Sequence, residues 1–358
     1  MTSRIVAPRV WSFEDPVTGT LGWLAVDSIA NGMAFGGMRI SSCTSEGEVA
    51  ELARSMTLKL SIHGAPVGGA KGGICIEPSD PRLEGVLHRY AVAMSEPLKA
   101  VVTLGKDMGT TNATLDRLYK GLELPQLHLI SGAGIPDRLR DLIGYRKHMT
   151  GLGVAWATST FMGEALRGAR CVIQGFGAVG VGTAVRLNEL GADVVGLSDH
   201  RYGWSFSEAI SSEDVELMAS MGRVRPDRVE SSAKRIPRDD LFTLPSDVLI
   251  LAARSNSVSA EQAKHISAGV VVEGSNFGLT KGARTVLMRR GIAVVPDIIA
   301  SSSSASMVAR QLKSKNGETY EELWSDIERS IRGATKRYSD KAVADGTSIR
   351  TALISDLG

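Results

Sequence analysis

The sequence predicts an α/β protein of two domains, an N-terminal α/β domain followed by a doubly wound parallel sheet. Three observations carry this reading. Short apolar runs rich in valine, leucine and isoleucine alternate with stretches of helical periodicity along most of the chain, the pattern of sheets covered by helices. One of those runs, Cys171 to Gln174, opens directly into the turn Gly175, Phe176, Gly177, Ala178, Val179, Gly180 and then a helix-like segment, as strands of parallel sheets do. The 358 residues, 43% hydrophobic and 22% charged, supply two cores of ordinary size. In this reading residues 1-134 form the first domain, 135-325 the second, and 326-358 a helical tail that returns to the first.

Charge and cysteine content narrow the function classes. The formal charge of +2 arises from 41 basic and 39 acidic residues without a long run of one sign, so no nucleic-acid or membrane surface is expected and small molecules are the expected partners. Cys43, Cys75 and Cys171 are odd in number and widely spaced, which suits reduced thiols and argues against a disulfide framework or a metal site. The opening MTSRIVAPRVW has no apolar signal region and no run approaches bilayer-spanning length, so a cytoplasmic location is expected.

Val10 to Phe13 and Leu21 to Asp27 read as two strands joined by a turn at Asp15, Pro16 and Gly19, because proline and glycine punctuate two apolar runs. In the following GMAFGGMRI, Gly36 and Gly37 interrupt an apolar stretch, either as a bulge or as free N–H groups facing an anion such as a carboxylate. Ser45 with Glu48 three residues on is a capping box. Val49, Leu52, Ala53 and Met56 then repeat at helical spacing, so a helix runs to about Leu60 with Lys59 in its final turn. Gly68 to Gly73, GGAKGG, reads as a glycine loop around Lys71, where the missing Cβ atoms let a ligand reach the ammonium group. A second cation nearby, with partial burial, would disfavour that ammonium and yield the neutral amine a general base has to be; the alternative is a solvated lysine. Gly73 to Glu77 reads as a buried strand, Leu83 to Ser95 as a helix and Lys99 to Leu104 as a strand. Asp107 stands just past that strand, where open α/β sheets place ligand-contacting residues, and is either a proton-handling acid or a turn residue.

The turn after Cys171–Gln174 has the three glycines of a dinucleotide fingerprint in a Rossmann unit. Gly175 makes the tight turn, Gly177 lets a pyrophosphate approach the helix N-terminus around Ala178 and Val179, and Gly180 allows helix and strand to pack closely. Asp199 ends the next strand about twenty residues on, where an acid accepts ribose hydroxyls; this favours NAD, while His200 and Arg201 beside it keep NADP open. Further strands are expected at Val248 to Ala252, Val270 to Glu273 and Ala293 to Val295. Asn256 and Asn276 lie just past strand ends as ligand contacts or turn formers. Glu318 to Tyr338, with Leu323, Trp324, Ile327 and Ile331 on one face, reads as a long amphipathic helix that packs on the first domain or at a subunit contact.

Taken in order, GGMR at 36–39, MTLK at 56–59, GGAKGG at 68–73, KDMGTT at 106–111, MTGLGV at 149–154, GFGAVG at 175–180 and VVEGSN at 271–276 resemble the amino-acid dehydrogenase family of glutamate, leucine, valine and phenylalanine dehydrogenases. The resemblance spans nearly the whole chain. It implies that Gly36, Gly37 and Lys59 hold the substrate α-carboxylate, that Lys71 is the base activating water against an imino intermediate, and that Asp107 handles protons on the amino group. It further implies Thr150 in the cofactor site, Asn276 at the nicotinamide ribose, a first domain for substrate binding and oligomerisation, and a cleft between the domains that excludes water on closing. The implied reaction is the reversible NAD(P)-dependent oxidative deamination of an L-amino acid by a homo-oligomer.

Members that use glutamate resemble one another in a lysine just before the GG of GGxR and a serine after a late Pro-Asp. Here those positions are Phe35 and, aligned from Pro296-Asp297, Val308; Gly105 and Ala305 map to the same pocket and are small. A buried glutamate carboxylate lacking partners costs several kcal/mol, whereas an apolar side chain gains roughly 1.5–3 kcal/mol from burial. An apolar, bulky substrate of the leucine, phenylalanine, valine or tryptophan type is therefore expected, nearer the leucine/phenylalanine members. Ser301 to Ser304 replaces the family's Asn-Ala-Gly-Gly, which leaves as an alternative a cofactor-binding protein with altered substrate or little catalysis; a second alternative is a glutamate dehydrogenase, which needs an anchor for the side-chain carboxylate.

Overall fold

The computed structural model describes residues 8–120, 122, 143–221, 224, 233–313 and 319–357. Two compact units are drawn from it, one from Met1–Asp137, Ala305–Tyr320 and Leu357–Gly358, the other from Arg138–Ser304 and Glu321–Asp356. The expected boundary at 134/135 lies outside the described residues.

The first unit is a five-stranded mixed sheet in the order β1-β2-β4-β3-β5: β1 Arg9–Glu14, β2 Leu21–Val26, β3 Ala34–Ile40, β4 Gly68–Ile74 and β5 Val102–Lys106. β1 and β2 form the expected antiparallel hairpin, and β3 runs parallel to both β4 and β5. One face carries α2 (Leu83–Ala93) and α4 (Asn112–Lys120), which bury Leu24, Met38, Ile40, Ile74, Leu87 and Leu104 in one core. Tyr119 secures the edge strand β5: its hydroxyl donates to Leu104 O at 2.9 Å and accepts from Leu104 N, so backbone groups that no further strand pairs are satisfied. The opposite face carries α1 (Glu46–Ile62), whose Val49 and Ala53 pack on Trp23 and Ala25.

GGAKGG is not a loop. It is the body of β4, buried throughout, and its glycines answer close approach. A Cβ at Gly69 would lie 2.2 Å from Thr57 N, and one at Gly73 2.5 Å from Val49 Cγ2, so α1 rests directly on the strand. Gly36 and Gly37 likewise belong to β3 and pair with Leu104 and Gly105, with no bulge. The capping box is half present: Ser45 accepts from Glu48 N, but the Glu48 carboxylate binds Arg39 instead of turning back to the cap. The predicted Leu83–Ser95 helix ends at Ala93, and α3 (Ser95–Ala100) takes the start of the next predicted strand, with Pro97 in its first turn. Asp107 follows β5 directly, as expected.

The second unit holds a seven-stranded sheet in the order β12-β11-β10-β6-β7-β8-β9. β6 (Arg170–Gln174), β7 (Asp193–Ser198), β10 (Val248–Leu251), β11 (Val270–Glu273) and β12 (Ala293–Val295) are parallel, while β8 (Gly203–Ser205) and β9 (Lys234–Ile236) extend the β7 edge antiparallel. The first strand, β6, sits between β7 and β10, which makes the switch of winding direction that places ligands at strand C-termini. The tail forms helices Tyr320–Asp345 and Ile349–Leu357, broken at Gly346 with φ +61. Its first residue, Tyr320, and its end, Leu357–Gly358, group with the first unit, and Glu321–Asp356 group with the second. Within the second unit Trp324 packs edge-on against Trp156, Arg332 donates to the Ser159 and Thr160 hydroxyls, and Arg350 pairs with Glu273. None of the described helices is long and apolar enough to cross a membrane.

Candidate active site

Strand alternation builds the first half of the site. Phe35, Gly37 and Arg39 are two residues apart on β3 and so share a face of the sheet. Lys71 lies between Gly69 and Gly73, the β4 glycines on which α1 rests, and therefore projects on the α1 side. Its Nζ is 2.7 Å from Asp107 Oδ2, with the lysine side chain 5% and the aspartate 22% exposed. A Cβ at Gly37 would sit 3.1 Å from Lys71 Nζ and 2.9 Å from Asp107 Cβ, so glycine keeps open the space beside the pair. Gly36 serves differently: its Cβ would meet Ala70 O at 1.6 Å, a close approach of neighbouring strands. Lys59 is buried in the last turn of α1.

Sequence reasoning missed two members of this cluster. Arg39 Nε donates to the same Asp107 Oδ2 at 2.9 Å, and its Nη1 donates to Glu48 Oε1 at 2.5 Å. Both residues stood in quoted motifs, GGMR and the capping box, yet their meeting is long-range. Burial lowers the Lys71 pKa below the usual lysine value and the Arg39 charge adds to that, against the opposing pull of Asp107. Burial alone would raise Asp107, but Lys71 and then Arg39 outweigh it and hold the carboxyl ionised, well below the usual range. The second cation expected beside Lys71 is thus Arg39.

Phe35, Leu60, Val67, Ala305 and Val308 form one buried cluster in this unit, flanked by Met33, Met56, Ala65 and Leu312. A Cβ at Gly105 would lie 3.2 Å from Phe35 Cζ, so the ring occupies the room that Gly105 leaves. All four predicted pocket residues, Phe35, Gly105, Ala305 and Val308, are therefore brought together.

The second unit presents a nucleotide cradle. Gly175 has φ +102 and its Cβ would lie 2.7 Å from Ala252 O, while a Cβ at Gly180 would strike Gly175 O at 2.0 Å. Gly177 is the N-cap of the helix Ala178–Glu189, has no side-chain cap bond, and nothing lies within 4 Å of its Cβ position. The first N–H groups of a helix, here at Ala178 and Val179, have no intrahelical acceptor and suit a pyrophosphate. Asp199 Oδ1 accepts from Arg201 N at 2.7 Å and Tyr202 N at 3.0 Å, which fixes the carboxylate just past β7. These residues fit a dinucleotide. Thr150 lies half-buried in the helix Ile143–Met162, next to Gly151, whose Cβ would meet Val179 O at 2.5 Å.

Asn276 sits in a loop held by two buried carboxylates that sequence reasoning did not single out. Glu273 Oε1 accepts from Leu279 N at 3.1 Å, and Asp297 Oδ2 from Phe277 N at 3.2 Å, with Phe277 at φ +51. Arg284 and Arg350 neutralise them. In the serine run, Ser301 donates to Asp297 O and Ser302 to Ile299 O, so both hydroxyls bind the preceding turn. Ser303 Oγ lies 1.8 Å from the Cβ position of Gly153, which explains that glycine in MTGLGV.

Comparison with known proteins agrees with this geometry. The family described as Glutamate/Leucine/Phenylalanine/Valine dehydrogenase matches residues 143–355, and the Glu/Leu/Phe/Val dehydrogenase dimerisation domain matches residues 9–123. The NADP-specific glutamate dehydrogenase of Saccharolobus shibatae is 34% identical over 295 residues, 79% of this chain and 68% of that one. Glutamate dehydrogenase A2 of Halobacterium salinarum is 32% identical over 322 residues, 85% of this chain and 76% of that one. The hetero-hexameric glutamate dehydrogenase from Thermus thermophilus, in its leucine-bound form, is structurally similar with a TM-score of 0.78 and 27% identity, covering 96% of this chain and 86% of that chain. These relatives are named glutamate dehydrogenases, a departure from the leucine/phenylalanine leaning that the pocket suggests. Relatives named as NADP-specific and as NAD-specific both occur, and the cofactor class is NAD(P). The match of both domains, on a fold whose two halves carry a buried Lys–Asp pair and a dinucleotide cradle, places this chain in the glutamate/leucine/phenylalanine/valine dehydrogenase family of amino-acid dehydrogenases.

Proposed function

We propose that the chain catalyses the reversible oxidative deamination of an L-amino acid to its 2-oxo acid and ammonia, with Lys71 as base and Asp107 as proton carrier. The observation that carries this is the buried Lys71–Asp107 pair beside the empty Gly37 position. When bound, NAD(P) accepts the hydride from the substrate Cα. Gly37 leaves room for the reacting carbon next to Lys71 Nζ, with Lys59 and the β3 backbone assigned to the α-carboxylate. As a neutral amine, Lys71 tolerates a cationic imine neighbour and takes the proton of the water that attacks the imine carbon. Asp107 moves protons at the nitrogen that leaves as ammonia. Gly175, Gly177, Ala178, Val179, Gly180 and Asp199 hold the dinucleotide, with Thr150 and Asn276 assigned to its nicotinamide end.

For the side chain, the Phe35–Val308 cluster supports an apolar substrate, because its own side chains offer a glutamate carboxylate no partner for the water it loses. The relatives favour a second reading, glutamate itself. Reduced cofactor formation across L-glutamate, leucine, valine, phenylalanine and tryptophan, with NAD and with NADP, separates the two. Turnover of a bulky apolar member without glutamate supports the cluster; turnover of glutamate alone overturns it. Silence with every amino acid, while cofactor binding persists, supports the cofactor-binding reading. Lys71→Ala that keeps most activity overturns the role of Lys71. Self-assembly is part of the proposal: the N-terminal match is to a dimerisation domain, and the Thermus neighbour is hetero-hexameric.

A further inference from the structure

Lys71 Nζ and Arg39 Nε both bind Asp107 Oδ2, at 2.7 and 2.9 Å, whereas Asp107 Oδ1 has no partner among the described residues. Arg39 is 6% exposed and is held from behind by Glu48, 27% exposed, whose own N–H is fixed at the Ser45 cap of α1. The three strands and the helix that meet here each contribute one charged group: Arg39 from β3, Lys71 from β4, Asp107 at the end of β5 and Glu48 from α1. β2, on the other side of β4, sets uncharged Ala25 opposite Lys71. Lys59, also buried, lies on α1 about three turns from Glu48.

The arrangement is unusual for a simple ion pair, because two cations share one oxygen. A lysine that has to shed its proton beside a carboxylate leaves that carboxylate buried and uncompensated, which opposes the loss. A guanidinium on the same oxygen removes the opposition, since it does not deprotonate in proteins. We propose that Arg39, anchored by Glu48, is a positioning residue for the Lys71–Asp107 pair: it neutralises Asp107 permanently at Oδ2, so that Lys71 gives up its proton while Asp107 stays ionised with Oδ1 open. The inference rests on the roles assigned to Lys71 and Asp107 above, but it makes a statement about Lys71 protonation that does not need turnover to be read.

The signs follow from the charges. Removing Arg39 takes away a repelling cation and leaves Lys71 as the only partner of Asp107, so Lys71 holds its proton to higher pH. Removing the Glu48 charge takes away an attracting anion, so Lys71 loses its proton at lower pH. A merely structural contact gives neither shift and no reversal between the two variants.

The test is acetylation of Lys71 by acetic anhydride as a function of pH, read by peptide mass spectrometry on the full chain, beside the pH profile of kcat for L-leucine and L-glutamate. In Arg39→Gln the labelling midpoint rises by one unit or more, so that below it the neutral amine, and any turnover, falls at least tenfold. Arg39→Lys restores the charge and brings the midpoint back toward the parent, and Glu48→Gln moves it down. An unchanged midpoint in Arg39→Gln, or a rate lowered by one factor at every pH, overturns the proposal. If Arg39→Gln does not fold, Arg39→Met, which keeps the length of the side chain without its charge, decides: a higher midpoint supports the role of Arg39 and an unmoved one overturns it. Midpoints that shift as stated in a protein without turnover leave the inference standing and count against the catalytic reading, so the two fail separately.

Discussion

Gly37→Ala adds one methyl group at the point where the proposed chemistry happens. Gly37 is not among the glycines with positive φ, so alanine fits the β3 backbone without strain. Its Cβ arrives 2.9 Å from Asp107 Cβ and 3.1 Å from Lys71 Nζ, both closer than ordinary contact, and the pair has to yield by several tenths of an ångström. Misplacement of about 1 Å at a reacting group costs about 100-fold, so a shift of part of that distance, plus lost room for substrate, predicts a 10- to 100-fold fall in kcat/KM. That is about 1.4–2.7 kcal/mol of transition-state stabilisation. Gly72→Ala, on the next strand and the other face, is the matched control. Its Cβ would lie 2.7 Å from Met38 Sδ and 2.8 Å from Leu104 Cδ1, deep in the core, and overpacking there costs about 1–3 kcal/mol of stability. The assay is reduced-cofactor absorbance with the best substrate of the panel, alongside thermal unfolding of both variants. Both variants are expected to lose Tm, but only Gly37→Ala to lose activity at a temperature where both are fully folded. Full activity in Gly37→Ala refutes the placement of substrate over β3.

Four further outcomes follow from the structure. Asp199→Ala is expected to weaken NAD more than NADP in fluorescence titrations, since the carboxylate that accepts ribose hydroxyls also repels a 2′-phosphate; unchanged NAD affinity removes Asp199 from the cofactor site. Arg350→Ala leaves Glu273 and Asp297, both wholly buried, short of a cation, and is expected to cost about 3–5 kcal/mol in denaturant unfolding and to raise the KM for cofactor by loosening the Asn276 loop. Phe35→Lys is expected to raise kcat/KM for glutamate relative to leucine, because it sets a cation in the apolar cluster; no change in that ratio separates Phe35 from side-chain selection. Because the folded-state pKa of Lys71 lies below the lysine value of 10.5, the unfolded chain binds the extra proton between the two, and stability is expected to rise with pH across that window. Lys71→Met is expected to flatten that rise in urea midpoints measured from neutral to alkaline pH.

The parts of the fold that were legible in the sequence are those specified locally. The strand, turn and helix at Cys171 to Gly180 were legible because their constraints, a tight turn, a bare helix N-terminus and close helix–strand packing, all fall within ten residues. GGAKGG was misread because glycine at a strand position needing close approach looks the same as glycine in a loop. What distinguishes them is Thr57 and Val49 on α1, known only once the helix is seated. The Arg39–Glu48 and Arg39–Asp107 bonds were invisible for the same reason, since they join residues 9 and 68 positions apart. The helical tail was legible as a helix, but the partners of Trp324, Arg332 and Arg350 in the second unit are long-range and amphipathicity does not encode them. The serine run drew attention as a chemical change, whereas Ser301 and Ser302 spend their hydroxyls on backbone carbonyls one turn back.

Three functions are spaced along one face of β3 by the two-residue period of a strand. Phe35 contributes to the apolar cluster, Gly37 provides the gap beside Lys71 and Asp107, and Arg39 carries the charge that neutralises Asp107. Phe35 and Arg39 are four residues apart on the strand, about 13 Å, with Gly37 between them. On the proposed roles, an apolar exchange at Phe35 or Val308 is expected to alter which amino acid fits while leaving the charges around Lys71 in place, and exchange at Arg39 or Glu48 to alter Lys71 while leaving the apolar cluster in place. A fold arranged this way accommodates different amino acids on one reaction, and the apolar cluster here is compatible with an unaltered Lys71–Asp107 pair in a chain whose relatives are named for glutamate.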